Sequence, residues 1–143
     1  IRDGSFGDYV AALDDAAPVE QEAEADVLTL SGPVSVHGEA GQEYVAAPAD
    51  ALKISASIDF DHPCIGRQYG AFHVDEAGFR RELSVARTFG FHSDAEALHA
   101  RGLALGASLD NAVVLDDDGV MNEGLRFDDE FLRHKVGDVV GDL

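Results

Sequence analysis

The hydrophobic pattern of this chain changes period several times, and each change marks an element. In LKISASIDF, Leu52, Ile54, Ala56, Ile58 and Phe60 alternate with polar or charged positions, the two-residue period of a half-buried antiparallel strand. DVLTL, PVSVHG and EYVAAPA ahead of it, and YGAFHV after it, extend a series of strands. Near the start, YVAALDDAA has the spacing of a short amphipathic helix, and the charge run PVEQEAEAD behind it reads as linker.

Beyond the strands the period lengthens. Asp75 opens VDEAGFRRELSVA, in which Phe79, Leu83 and Ala86 recur at helical spacing. RTFGF is a break or short strand. SDAEALHAR is a second helix, with Ser93 and Glu96 as a capping box and Gly102 as its C-terminal stop. NAVVL and GVMN flank DDDG as the arms of a hairpin. The aspartates there are a solvated turn and not a calcium loop, because the EF-hand register would place Val120 and Phe127 at ligand positions. In the last helix, DDEFLRHKVGDVVGDL, Asp128, Asp129 and Glu130 favour the N-terminal end of the macrodipole. The order strands, helix, strand, helix, hairpin, helix is an α+β fold.

Composition narrows the function classes. A length of 143 residues suits one ordinary domain, and 45% hydrophobic content supports a core and argues against disorder. The formal charge of -18, from 28 acidic and 10 basic residues, repels phosphate backbones and anionic membranes, so neither nucleic acid nor a membrane surface is a partner. With Lys53 and Lys135 the only lysines, the surface suits either a salt-adapted halophile or a merely acidic protein. Cys64 stands alone, which fits a reducing compartment and hence a cytoplasmic location. No apolar run reaches the roughly 18 residues of a membrane span. The chain opens on Ile1 and stops after Leu143, and it reads as a piece of a longer protein.

The chemistry gathers on the last helix. At about 100° per residue, His134, Asp138 and Asp142 share one polar stripe, opposite Leu132, Val136, Val139 and Leu143. An imidazole and a carboxylate one turn apart can hold the same zinc ion, although the same spacing also makes a weak surface pair. His37, His62, His73, His92 and His99 form no second ligand motif and read as structural.

The segments IDFDHPCIG, ARTFGFHSDAEALHARGLALGASLDNAVVLDD and NEGLRFDDEFLRHKVGDVVGDL together resemble the UDP-3-O-acyl-N-acetylglucosamine deacetylases of Gram-negative bacteria, the zinc enzymes that commit carbon to lipid A. The resemblance runs over nearly the whole chain. It implies a two-layer domain of sheet plus helices, half of a β-α-α-β sandwich, carrying a strand-helix-strand insert. Residues 1–25 would be the tail of a first deacetylase domain with its linker, and residues 26–143 a second domain truncated at its C-terminus.

For the site, the resemblance implies that His134 and Asp138 are Zn2+ ligands and that Thr88 stabilises the oxyanion. Asp142 would orient a histidine that follows the chain. Lys135, Phe60 and Phe89 would bind the nucleotide-sugar substrate. Leu98, Leu103, Leu109, Ala112 and Val114 would line a passage for the 3-O-acyl chain. A second histidine ligand and a glutamate base would come from the missing N-terminal domain, leaving this piece inactive alone. The competing expectation is a non-catalytic, acidic α+β interaction domain.

Overall fold

A computed structural model describes residues 2–24 and 26–142. Helix α1 (Gly7–Asp15) is followed by strands β1 (Val34–His37), β2 (Glu43–Ala46), β3 (Lys53–Phe60) and β4 (Gly66–His73). Helix α2 (Glu76–Gly78) runs directly into a π-helical turn (Phe79–Leu83). Strand β5 (Phe89–Phe91), helix α3 (His92–His99), strands β6 (Val113–Asp116) and β7 (Gly119–Val120), and helix α4 (Glu130–Asp142) complete the chain. The architecture is α+β.

The strands form three small sheets. β1 and β2 make an antiparallel hairpin exposed along its length. β3 and β4 pair antiparallel in full register, Lys53 opposite His73 and Phe60 opposite Gly66. Their alternation survives in the structure: Ile54, Ala56, Ile58 and Phe60 are half-buried and the residues between them are exposed. Leu52, one step before the strand, is exposed instead. β5 and β6 pair parallel with α3 as the crossover, a strand-helix-strand unit, and β7 adds antiparallel to β6.

Helix α4 organises the core. Phe131 enters one cluster with Ile65, Val113 and Leu115, beneath the parallel sheet. Its neighbour Leu132, with Val136, enters a second cluster with Phe72 and Leu83, against the β3–β4 hairpin. Consecutive residues thus plug two cores from one helical turn, each full burial contributing about 1.5–3 kcal/mol. The Leu132 amide, left without an intrahelical partner at the helix start, donates to Gln68 Oε1 from β4. Arg133 lies over Phe127 and Phe72, 4.4 and 5.2 Å from their ring centroids, and bonds Asp129 and the Glu82 carbonyl. It ties the second cluster, through Phe72, to the helix start.

Several local expectations need correction. DVLTL forms no strand: Val27 and Leu28 are 79% and 92% exposed, with no neighbouring strand to cover them. The Ser93–Glu96 capping box is absent, because extended Phe91 leads β5 straight into α3 and leaves Ser93 inside the first turn. The apolar seam of α4 is Leu132, Val136 and Val140; Val139 turns toward an open hollow, and Leu143 lies outside the described residues. The stops hold where a backbone requirement is specific. Gly102 has φ +73°, and the Gly102 and Leu103 amides close the end of α3 onto the His99 and Leu98 carbonyls. Asp75 accepts from the Gly78 amide at 2.6 Å, so it caps the helix it was expected to open. Asp116 Oδ1 accepts from the Asp118 and Gly119 amides and closes the DDDG turn.

Candidate active site

His134 is the first surprise of the site, since a residue expected on the polar stripe is only 7% exposed. The opening turns of α4 are covered on both sides, and Phe6, from the turn before α1, lies flat on the imidazole with ring centroids 4.9 Å apart. The side chain missing at Gly137 makes that possible, because a Cβ there would fall on the Phe6 ring edge. The Phe6 amide in turn donates to the Ser84 carbonyl at 2.9 Å, which moors the turn.

Imidazole Nδ1 lies 3.0 Å from the Ala86 carbonyl oxygen. A carbonyl only accepts, so Nδ1 donates and the ring lone pair resides on Nε2. Nε2 faces Asp138 Oδ1 at 3.4 Å, one helical turn on. Two acceptors held that close call for a shared cation, a proton or a metal ion. A nitrogen and a carboxylate oxygen, with the second ring nitrogen fixed by a backbone carbonyl, is a donor set that fits zinc. Among the described residues no group of three or more such donors converges, so this chain offers two.

Asp138 divides its oxygens: Oδ2 accepts from Lys135 Nζ at 3.2 Å. Lys135 Nζ also sits 5.7 Å from the centroid of Phe89. Phe89 meets Phe60 edge-on at 5.6 Å and Phe131 at 5.0 Å, so the two aromatic candidates are adjacent and both half-buried. Lys135, Asp138 and Asp142 line a common open hollow of about 450 Å3, with Phe6, Tyr44 and Val139 as its other walls. Another hollow of about 380 Å3, between Leu13, Phe79 and Val140, has mainly apolar walls and no such donor pair.

Thr88 lies two residues beyond the carbonyl that orients His134. Its amide donates to the Gly4 carbonyl at 2.7 Å and its own carbonyl accepts from the Val113 amide at 2.8 Å, so the backbone there is pinned on both sides. The acyl-passage candidates lie elsewhere. Leu98 is half-buried on α3, Leu103 and Leu109 are 48% and 47% exposed in the following loop, and Ala112 and Val114 are half-buried at β6. Val114 points away from the core that Val113 and Leu115 fill. None of the five borders the hollow of Lys135 and Asp142.

The sequence did not reveal Phe6, Ala86, Tyr44, Arg87 or Glu130. Glu130, expected only to complement the helix dipole, is fully buried and paired with Arg87. Burial would raise its pKa, but the Arg87 guanidinium and the Arg126 and Arg87 amides outweigh that and hold it below the ordinary carboxylate value. One signal was present: in DEFL an acid directly precedes two large apolar residues at a helix start, and Glu130, Phe131 and Leu132 are all fully buried.

The family model described as LpxC, UDP-3-O-acyl N-acetylglycosamine deacetylase, matches residues 1–143. A UDP-3-O-acyl-N-acetylglucosamine deacetylase of Oleidesulfovibrio alaskensis is 48% identical over 144 residues, covering 100% of this chain and 47% of the relative. Enzymes of the same name from Brucella ovis and Brucella canis are each 49% identical over 146 residues, covering 100% of this chain and 50% of theirs. The chain therefore spans about half the length of the curated relatives it matches. With the family model matching end to end and near-half identity to these relatives throughout, the chain belongs to the UDP-3-O-acyl N-acetylglycosamine deacetylase family.

Proposed function

We propose that the longer protein containing this chain hydrolyses the N-acetyl group of UDP-3-O-acyl-N-acetylglucosamine in the cytoplasm, the committed step of lipid A biosynthesis. The observation that carries this reading is the His134 arrangement: in a chain of this family, a buried imidazole is oriented by the Ala86 carbonyl and aims its other nitrogen at Asp138. His134 and Asp138 would hold Zn2+, with a further donor and a general base from the first domain of the longer protein. When bound, the ion would polarise the acetyl carbonyl and lower the pKa of water.

The chain's own residues do the rest of what is assigned to it. Ala86 keeps the lone pair on His134 Nε2, and Phe6 keeps the ring in plane. The Thr88 hydroxyl donates to the carbonyl oxygen as negative charge develops on it. Asp142 orients and charges an imidazole, supplied from outside this chain, that protonates the leaving amine. Lys135 offers a cation to the substrate diphosphate, and Phe60 and Phe89 form the aromatic wall beside it. Leu98, Leu103, Leu109, Ala112 and Val114 line the path of the 3-O-acyl chain.

Acetate release from this substrate tests the reading. The full-length protein is expected to release acetate, His134→Ala to abolish release, and the isolated 143-residue chain to be inactive. A His134→Ala protein working at the unmodified rate contradicts it.

A further inference from the structure

Buried charge is concentrated at one place that the proposed chemistry does not use. The Glu130 side chain is 0% exposed and its Arg87 partner 14%. Oε1 accepts from the Arg87 amide and from Arg87 Nε, both at 2.9 Å. Oε2 accepts from the Arg126 amide at 2.6 Å and from an Arg87 terminal nitrogen at 3.1 Å. Four donors on one carboxylate leave it no rotamer freedom.

What this clamp holds is the segment, just ahead of β5, that serves the site. Arg87 lies between Ala86, whose carbonyl orients His134, and Thr88. Just before them, the Val85 carbonyl accepts from Arg126 at 2.8 Å, and Arg126 is itself bonded to Asp3. Glu130 stands on α4 four residues before His134, about 6 Å along the axis. One carboxylate therefore joins the helix that carries both candidate ligands to the segment that carries Thr88 and the carbonyl orienting His134.

Stability alone does not call for this arrangement. Desolvation offsets most of the attraction in a buried ion pair, and well-packed apolar side chains often serve as well or better. Geometry is another matter. Donors around a reacting centre must be held within about 0.5 Å, and a fork of two guanidinium bonds plus two amide bonds sets both distance and angle.

We propose that Glu130, acting through Arg87, is a positioning residue of the site: it fixes segment 85–88 against α4 and so sets the direction of His134 Nε2 and the place of Thr88. The inference rests on the deacetylase reading above. It assigns Glu130 no contact with substrate or metal.

The test uses the full-length protein with Glu130→Gln, and Arg87→Lys as a milder variant that keeps the charge and loses the fork. Each is measured for kcat, KM, zinc affinity and thermal midpoint. The expected result is a fall of about 10–100-fold in kcat and a similar weakening of zinc binding, with KM changed less than about twofold. An Arg87→Met, Glu130→Met double variant separates positioning from folding. Recovery of the thermal midpoint with kcat still low supports the role, and recovery of both overturns it. Unchanged kcat and zinc affinity in the single variants, beside an inactive His134→Ala control, overturn the clamp and leave the site standing. A fully active His134→Ala control removes the site and the clamp with it.

Discussion

At the scale of single residues, the structure separates what a side chain is from what surrounds it. His134 and Asp138 could be singled out because a four-residue repeat of ligand types on one helix is a local pattern, and Lys135 only through the family resemblance. Ala86 was not, since it acts through a backbone carbonyl from 48 residues away and its side chain carries no sign of that. Phe6 and Arg87 act through their side chains, but on partners far along the chain that no local pattern marks. Asp3 offers a residue-scale test. Burial raises its pKa, but bonds from the Ser5 hydroxyl, the Ser5 amide and the Arg126 guanidinium prevail and hold it at about 2, against 3.8 for the free group. A carboxyl with a depressed folded pKa adds stability that is complete above the unfolded value and lost as pH falls through the folded one. Asp3→Asn is therefore expected to lower stability near neutral pH and to flatten its decline between pH 3.8 and about 2, as read by denaturant unfolding across that window. An unaltered slope would show that the Asp3 bonds add nothing in solution.

Among the elements, the strands that found neighbours were read well and those that did not were misread. Alternation in β3 predicted a half-buried antiparallel strand, which Ile54 to Phe60 form, whereas DVLTL had similar residues and no sheet to join. Periodicity reports which face is apolar, not whether anything will cover it. Helix α4 shows the converse limit: its polar stripe was real in sequence, but the N-terminal turn packs over His134 and buries part of it. Gly137 is the place to test that packing. Gly137→Ala would push on the Phe6 ring and is expected to cost about 1–3 kcal/mol, read as a lower thermal midpoint. Adding Phe6→Ala should return part of the loss, because the second change removes the atoms in conflict. Independent, additive effects would place Phe6 away from the helix.

For the whole molecule, the α+β class and the site helix followed from pattern and resemblance, while the division into two core clusters around Phe131 and Leu132 did not. No local signal distinguishes which of two sheets a buried side chain will enter. No helix among the described residues is long and apolar enough to cross a membrane. The net charge of -18 makes a prediction of its own. As salt rises from about 0.1 M to about 1 M and the Debye length shrinks from about 10 Å to about 3 Å, self-repulsion is screened and the thermal midpoint should rise. A midpoint that falls steadily over that range would assign the surface ion pairs more weight than the acidic excess. The central claim remains that His134 and Asp138 grip one metal ion together. Zinc content per chain, measured in the full-length protein and in His134→Ala after exhaustive dialysis, tests it most directly. The account predicts about one tightly held ion in the first and none in the second; full zinc retention in His134→Ala would contradict it.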